Sequence, residues 1–174
     1  MNNIIYDRSF NANEWFVIGM MVIGGIAIIL LPKMMSPAET TFNMLIGVSF
    51  GLMFDHTIGV PPFDFYDVGD QAQYNLFDIV SYAMYIPASY FFIYFYLRFK
   101  IQNYKTIFYI ILWTALGILL EWIGVKMGVF HYKHGYRIMY SIPIYLALES
   151  LHLGLYLKYF YPFSFKAKRR PAIE

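Results

Sequence analysis

The stretch Tyr109–Phe130 is long and apolar enough to cross a bilayer, and it carries an acid well inside it, Glu121. A carboxylate at that depth costs roughly 2.5–3.5 kcal/mol on insertion scales. The only other charge in the run is Lys126, near one end. Gly117, Glu121, Gly124 and Gly128 follow one another at spacings of 4, 3 and 4, which is one face of a helix. That face is built for close approach by another helix, so the acid should point at protein and not at lipid.

The rest of the chain agrees with a membrane reading. Of its 174 residues 59% are hydrophobic and only 14% are charged, against about 25% charged in a soluble domain. Five spans are expected, at about 15–31, 41–60, 75–99, 106–130 and 139–161. Each is close to the ~20 residues that ~30 Å of hydrocarbon requires. Without water the backbone must satisfy itself, and strict alternation of the barrel kind is absent. The expected fold is therefore all-α, a polytopic helical bundle forming a single integral membrane domain over 1–174. Met1–Glu14 lacks the basic start and small-residue cleavage site of a secretory signal, so the first span is expected to be kept.

Lysine and arginine set the expected orientation. One side collects Arg8, Lys126, Lys133 and Arg137. The other collects Lys33, Arg98, Lys100, Lys105, Lys158, Lys166, Lys168, Arg169 and Arg170. The richer side should be cytoplasmic, which puts the N-terminus outside and the C-terminus inside. Clustering at helix ends gives no sign of nucleic-acid binding. With no cysteine, thiol chemistry and thiolate metal sites are excluded.

An internal repeat is visible at an offset of 66. It pairs Gly51 with Gly117, Asp55 with Glu121, Tyr66 with Tyr132, Gly69 with Gly135, Tyr74 with Tyr140 and Tyr90 with Tyr156. As a duplication it would make spans two and three and spans four and five parallel hairpins about an axis along the membrane normal.

Two further helices carry polar stripes, and such stripes should face the bundle interior. Span five has Tyr145, Glu149, His152 and Tyr156; span three has Asp78, Tyr82, Tyr85 and Ser89. Glu149-x-x-His152 is half of the carboxylate-bridged dinuclear metal motif, which needs a second copy and two more acids. The remaining metal candidate is a mononuclear site of Glu149, His152 and Glu121, set against the plainer reading that these side chains hydrogen-bond each other or tyrosines as packing glue. Haem is disfavoured because only His152 lies deep. The cofactor stays unspecified. The loop Pro61–Tyr74, with Asp64, Asp67 and Asp70 and no base, reads as a solvated acidic outer loop, and His131 and His134 as polar turn residues.

The residues Glu121-Trp122-Ile123, then Gly128, then Tyr132-Lys133-His134-Gly135-Tyr136 resemble a motif in a family of small multi-pass membrane proteins of spore-forming Firmicutes. Tyr136 stands where that family usually has tryptophan. The resemblance covers about 16 residues and brings no activity with it. It implies a bacterial plasma membrane of the Gram-positive kind, a similar helix count, and a single site formed by Glu121 and the 132–136 turn.

The leading expectation is an outward-opening polar cavity lined by Asp55, Asp78, Glu121, Tyr145, Glu149 and His152. It would bind or translocate a cation, a proton or an amphiphile with a cationic head. The alternatives are an accessory or assembly subunit of a larger membrane complex, with a membrane-protein partner or a second copy of the chain, and a membrane enzyme acting on a lipid or isoprenoid. In the enzyme, Glu121 or Glu149 with His152 would do the acid–base work.

Overall fold

The computed structural model describes residues 10–69 and 76–160, the side chains of 76–78 excepted. Five helical rods make up most of it, with 72% of the described residues helical. The rods are α1 (Ala12–Leu30), α2 (Pro37–Asp55), α3 (Leu76–Ser81) running through a 3-10 turn at Tyr82–Met84 into α4 (Tyr85–Arg98), α5 (Lys105–Lys126), and α6 (Ser141–Tyr159), itself entered through a 3-10 turn at Ile138–Tyr140.

Local chemistry sets these boundaries. Asn11 and Glu14 form a capping box, which starts α1 ahead of the expected Trp15. Ser36 and Glu39 do the same for α2, with Pro37 at its first position, so the second rod begins at 37 and not at 41. It ends at Asp55, and α5 ends at Lys126, because the chain then turns into irregular structure where hydropathy alone had extended both helices. Pro87 and Pro143 are each the third residue of an α-helix. Proline offers no N–H to the carbonyl four residues back, which accounts for the tighter 3-10 turns just before these helices.

The α4 rod is central and the others pack around it. Its core is aromatic: Tyr90, Phe92, Tyr94 and Tyr96 are buried with Tyr109 of α5 and Tyr156 of α6. The Tyr109 hydroxyl donates to the Phe92 carbonyl oxygen. Small residues allow the close crossings. A Cβ on Gly24 would collide with Pro87, and one on Gly47 would lie 2.6 Å from the Tyr85 carbonyl oxygen. Four rods, all except α2, are long and apolar enough to cross a membrane by length and composition. The second rod carries Glu39, Thr40, Thr41, Asn43, Ser49 and Asp55, which lower its apolarity.

The all-α expectation missed a two-stranded ribbon. Strand β1 (Tyr66–Val68) pairs antiparallel with β2 (Phe130–Tyr132), with Tyr66 opposite Tyr132 and Asp67 opposite His131. Bonds from the Lys133 N–H to the Phe65 carbonyl (2.7 Å) and from the Gly69 N–H to the Val129 carbonyl (2.9 Å) lengthen it. Three-residue strands are too short to show a period of two, so the sequence puts Tyr66–Val68 in the acidic loop and Phe130 at the end of the fourth span.

The acidic loop is not simply solvated. Lys133 reaches across the ribbon to Asp67 at 2.7 Å and Asp64 at 3.1 Å, and the ring of His134 sits 2.8 Å from the Asp64 carbonyl oxygen. Burial opposes the charge on Lys133, but hydrogen bonds and attraction from the two carboxylates outweigh it and hold its pKa above the ordinary lysine value of 10.5. A raised folded pKa stabilises below the unfolded value and is lost as pH rises through the folded one. The lysine charge therefore holds this clasp throughout the neutral range and releases it only in strong alkali. Arg8, Asp70, Tyr74 and the basic tail Lys166–Arg170 lie outside the described residues.

Candidate functional site

A cavity of about 620 Å³ runs from the underside of the ribbon into the bundle. Five of the six expected site residues line it: Asp55, Glu121, Tyr145, Glu149 and His152. The sixth, Asp78, falls in α3, and its side chain lies outside the described residues. Most of the wall is aromatic and aliphatic, with Phe50, Phe91, Phe92, Phe95 and Trp113 among its members, and no lysine or arginine among the described residues takes part.

Each acid is met by neutral hydroxyls. Tyr66 donates to Asp55 Oδ1 at 2.7 Å. Tyr132 donates to Glu121 Oε1 at 2.5 Å, and Ser141 donates to the same oxygen at 2.7 Å. Tyr136 pairs with the Ser141 hydroxyl at 2.9 Å, so the 132–136 turn and Glu121 belong to one network. Thr114 donates to Glu149 Oε2 at 2.8 Å. Glu121 and Glu149 are buried. A hydroxyl does not offset a full negative charge in an apolar wall. Burial and the adjacent carboxylates push the Tyr66 and Tyr132 hydroxyls above the usual tyrosine range. Both remain protonated donors at neutral pH.

His152 is held from the other side. Its Nε2 lies 2.7 Å from Asn43 Oδ1. The Asn43 amide nitrogen is committed to the Glu39 carbonyl oxygen at 2.7 Å, which leaves Oδ1 as an acceptor and fixes His152 Nε2 as the donor. Ser89 donates to the Asn43 carbonyl at 2.7 Å. Below this, Tyr156 donates to Glu39 Oε1 at 2.7 Å. Glu149 and His152, adjacent on one helix, thus turn to different partners and do not bond each other.

The metal candidate fails on this geometry. Among the described residues no three histidine, aspartate or glutamate side chains gather around a common point. Glu121 is drawn to the ribbon, Glu149 to α5 and His152 to α2. Lys126, the other charge in the Glu121 run, lies over the Trp122 ring at 6.0 Å.

No family model, curated protein or solved structure matches this chain. What the site does must be read from its own chemistry. Sequence reasoning missed Asn43, Glu39, Thr114 and Ser141, and it named Tyr66 and Tyr132 without seeing them as acid partners. A signal for α2 was present: Glu39, Asn43, Gly47, Gly51 and Asp55 recur every fourth residue as one polar and small stripe. Ser141 likewise extends the Tyr145–Glu149 stripe by one turn.

The cavity also reaches the side of the bundle. Helix α1 leans on α4 and its 3-10 turn, while α5 leans on α6. Between α1 and α5 the lining residues Trp15, Ile23 and Leu116 are themselves exposed, at 63%, 72% and 40%. This opening lies on the face that membrane insertion would present to acyl chains.

Proposed function

We propose that this chain is an integral protein of a bacterial plasma membrane whose cavity binds, or carries across, an amphiphile with a cationic head. The observation that carries the reading is an apolar, laterally open cavity whose acids have hydroxyl partners, with no lysine or arginine among the described residues of its wall. An acyl or aromatic tail entering between α1 and α5 stays in apolar surroundings. Its ammonium head reaches Glu121 and Asp55 near the ribbon, or Glu149 deeper in. The side opening favours this ligand over a bare hydrated cation, which would have no reason to enter from lipid.

In this reading all five rods cross the membrane, with the N-terminus outside and the C-terminus inside. The second rod crosses with Glu39, Asn43 and Asp55 turned to partners within the protein, while only Thr41 and Ser49 of its polar residues stay exposed. Asn43 and Gly47 are buried, while Leu45, Leu52 and Met53 are exposed. The duplication is part of the same reading. The ribbon register pairs Tyr66 with Tyr132, the residues that the offset of 66 equates, so a local two-fold axis passes through that pair. Each tyrosine binds the acid eleven positions before it, and Gly69 and Gly135 both take positive φ (73° and 78°). Beyond the ribbon the equivalence shifts. The helix starts with Ile86-Pro87 and Ile142-Pro143 stand 56 apart, so the first copy carries ten extra residues, and the pairs Tyr74–Tyr140 and Tyr90–Tyr156 drop out.

The test is a titration in phosphatidylcholine nanodiscs with dodecylamine and dodecanoate, followed by tryptophan fluorescence, since Trp15 and Trp113 both line the cavity. The expected result is saturable binding of the amine only, about tenfold or more weaker in Glu121→Gln, the loss of roughly 1.4 kcal/mol. Equal binding of amine and carboxylate, or no effect of the substitution, would reject a cation-selecting head site.

A further inference from the structure

The two acids at the ribbon end stand in matched settings, and the match runs through several independent features. Asp55 and Glu121 each lie at or near the end of a long helix, one turn after a glycine: Gly51 before Asp55, Gly117 before Glu121. An aromatic ring of a later helix covers each glycine. A Cβ on Gly51 would lie 2.7 Å from the Tyr85 ring, and one on Gly117 would lie 3.4 Å from the Tyr145 ring. Each acid accepts from the tyrosine eleven residues later. Those tyrosines are direct cross-strand partners, which puts their side chains on one face of the ribbon. The ring of Tyr136 touches both, at 5.2 Å from Tyr132 and 6.4 Å from Tyr66. Both acids and both tyrosines line the same cavity.

The hydroxyls that meet these acids, Tyr66 at Asp55 and Tyr132 with Ser141 at Glu121, do not exhaust a carboxylate, which has about four lone-pair directions. A head with one ammonium group would satisfy one acid and leave its counterpart in an apolar wall without a countercharge, which is costly. We propose that the cavity takes an amphiphile whose head carries two amino groups, one directed to the Asp55–Tyr66 half and one to the Glu121–Tyr132 half. This inference rests on the reading of the cavity as a site for cationic amphiphiles and adds the number and placement of the charges. The tyrosines then do two things. They hold the empty acids with neutral donors, and they keep those acids turned to the cavity beneath the ribbon.

The experiment compares N-dodecyl-1,3-propanediamine with dodecylamine, in the same nanodiscs, on the wild-type protein, Asp55→Asn, Glu121→Gln, and Lys133→Met. In the wild type the diamine should bind about tenfold or more tighter than the monoamine, because both half-sites are used. Either acid substitution should remove that preference, even where monoamine binding survives. The Lys133 variant loosens the ribbon clasp but keeps both acids and both tyrosines, and should keep the preference, which separates a lost half-site from a general loosening of the ribbon. A monoamine that binds as tightly as the diamine, and still depends on Glu121, would overturn the two-headed ligand and leave the single-headed reading standing. Failure of both amines to bind the wild type would overturn that reading as well.

Discussion

Gly47→Leu should leave no folded, monodisperse protein after extraction in mild detergent. At this crossing α2 lies against the start of α4, and even a Cβ would sit 2.6 Å from the Tyr85 carbonyl oxygen and press on the Ser89 hydroxyl. A carbonyl within a helix cannot rotate away as a side-chain tip can. Gly47→Ala is the graded version, where overpacking of this kind costs about 2 kcal/mol and lowers Tm by roughly 4–8 °C. Gly25→Ala is the control, since nothing lies within 4 Å of its added Cβ. Size-exclusion profiles and thermal melts of the three variants check the expectation. If Gly47→Leu behaved as wild type, the α2–α4 crossing described above would be wrong.

The second large effect is expected at Asn43, which is fully buried. Asn43→Leu preserves volume but leaves the His152 Nε2–H and the Glu39 carbonyl without this partner. A buried donor stranded in this way costs about 1–3 kcal/mol. A drop in Tm of roughly 2–12 °C follows for a chain of this size. His152→Leu added to Asn43→Leu should restore most of the loss, because exchanging both partners for apolar groups is close to neutral. Additive losses in the double variant would mean that Asn43 and His152 do not act on each other. Melts of the two single variants and the double variant, read as a cycle, decide it.

Much of this arrangement could be read from residue spacing alone, and the parts that could not have physical reasons. The helices follow from apolar length, and the inward turn of Glu121, Glu149 and His152 follows from the cost of acids in hydrocarbon. That cost does not say which neighbour satisfies each acid. The i, i+3 spacing of Glu149 and His152 suggested a mutual bond or a shared metal, yet their partners come from α5 and α2, far along the chain. The ribbon was illegible because three residues carry no period. Its register, however, falls on the very tyrosines that the repeat had equated. The acidic loop was misread because its countercharge, Lys133, is supplied by another loop 69 positions from Asp64.

The central claim is that the cavity holds an amphiphile through its acids. Native mass spectrometry tests it most directly, on protein taken from its own membranes in mild detergent, wild type beside Glu121→Gln and Glu149→Gln. The account predicts a bound small molecule with an amine-bearing head on the wild type, and its loss from Glu121→Gln or from both variants. A wild-type spectrum with no small molecule and a stoichiometric protein companion would contradict it. The buried acids would then be assembly contacts, and the chain a subunit of a larger complex.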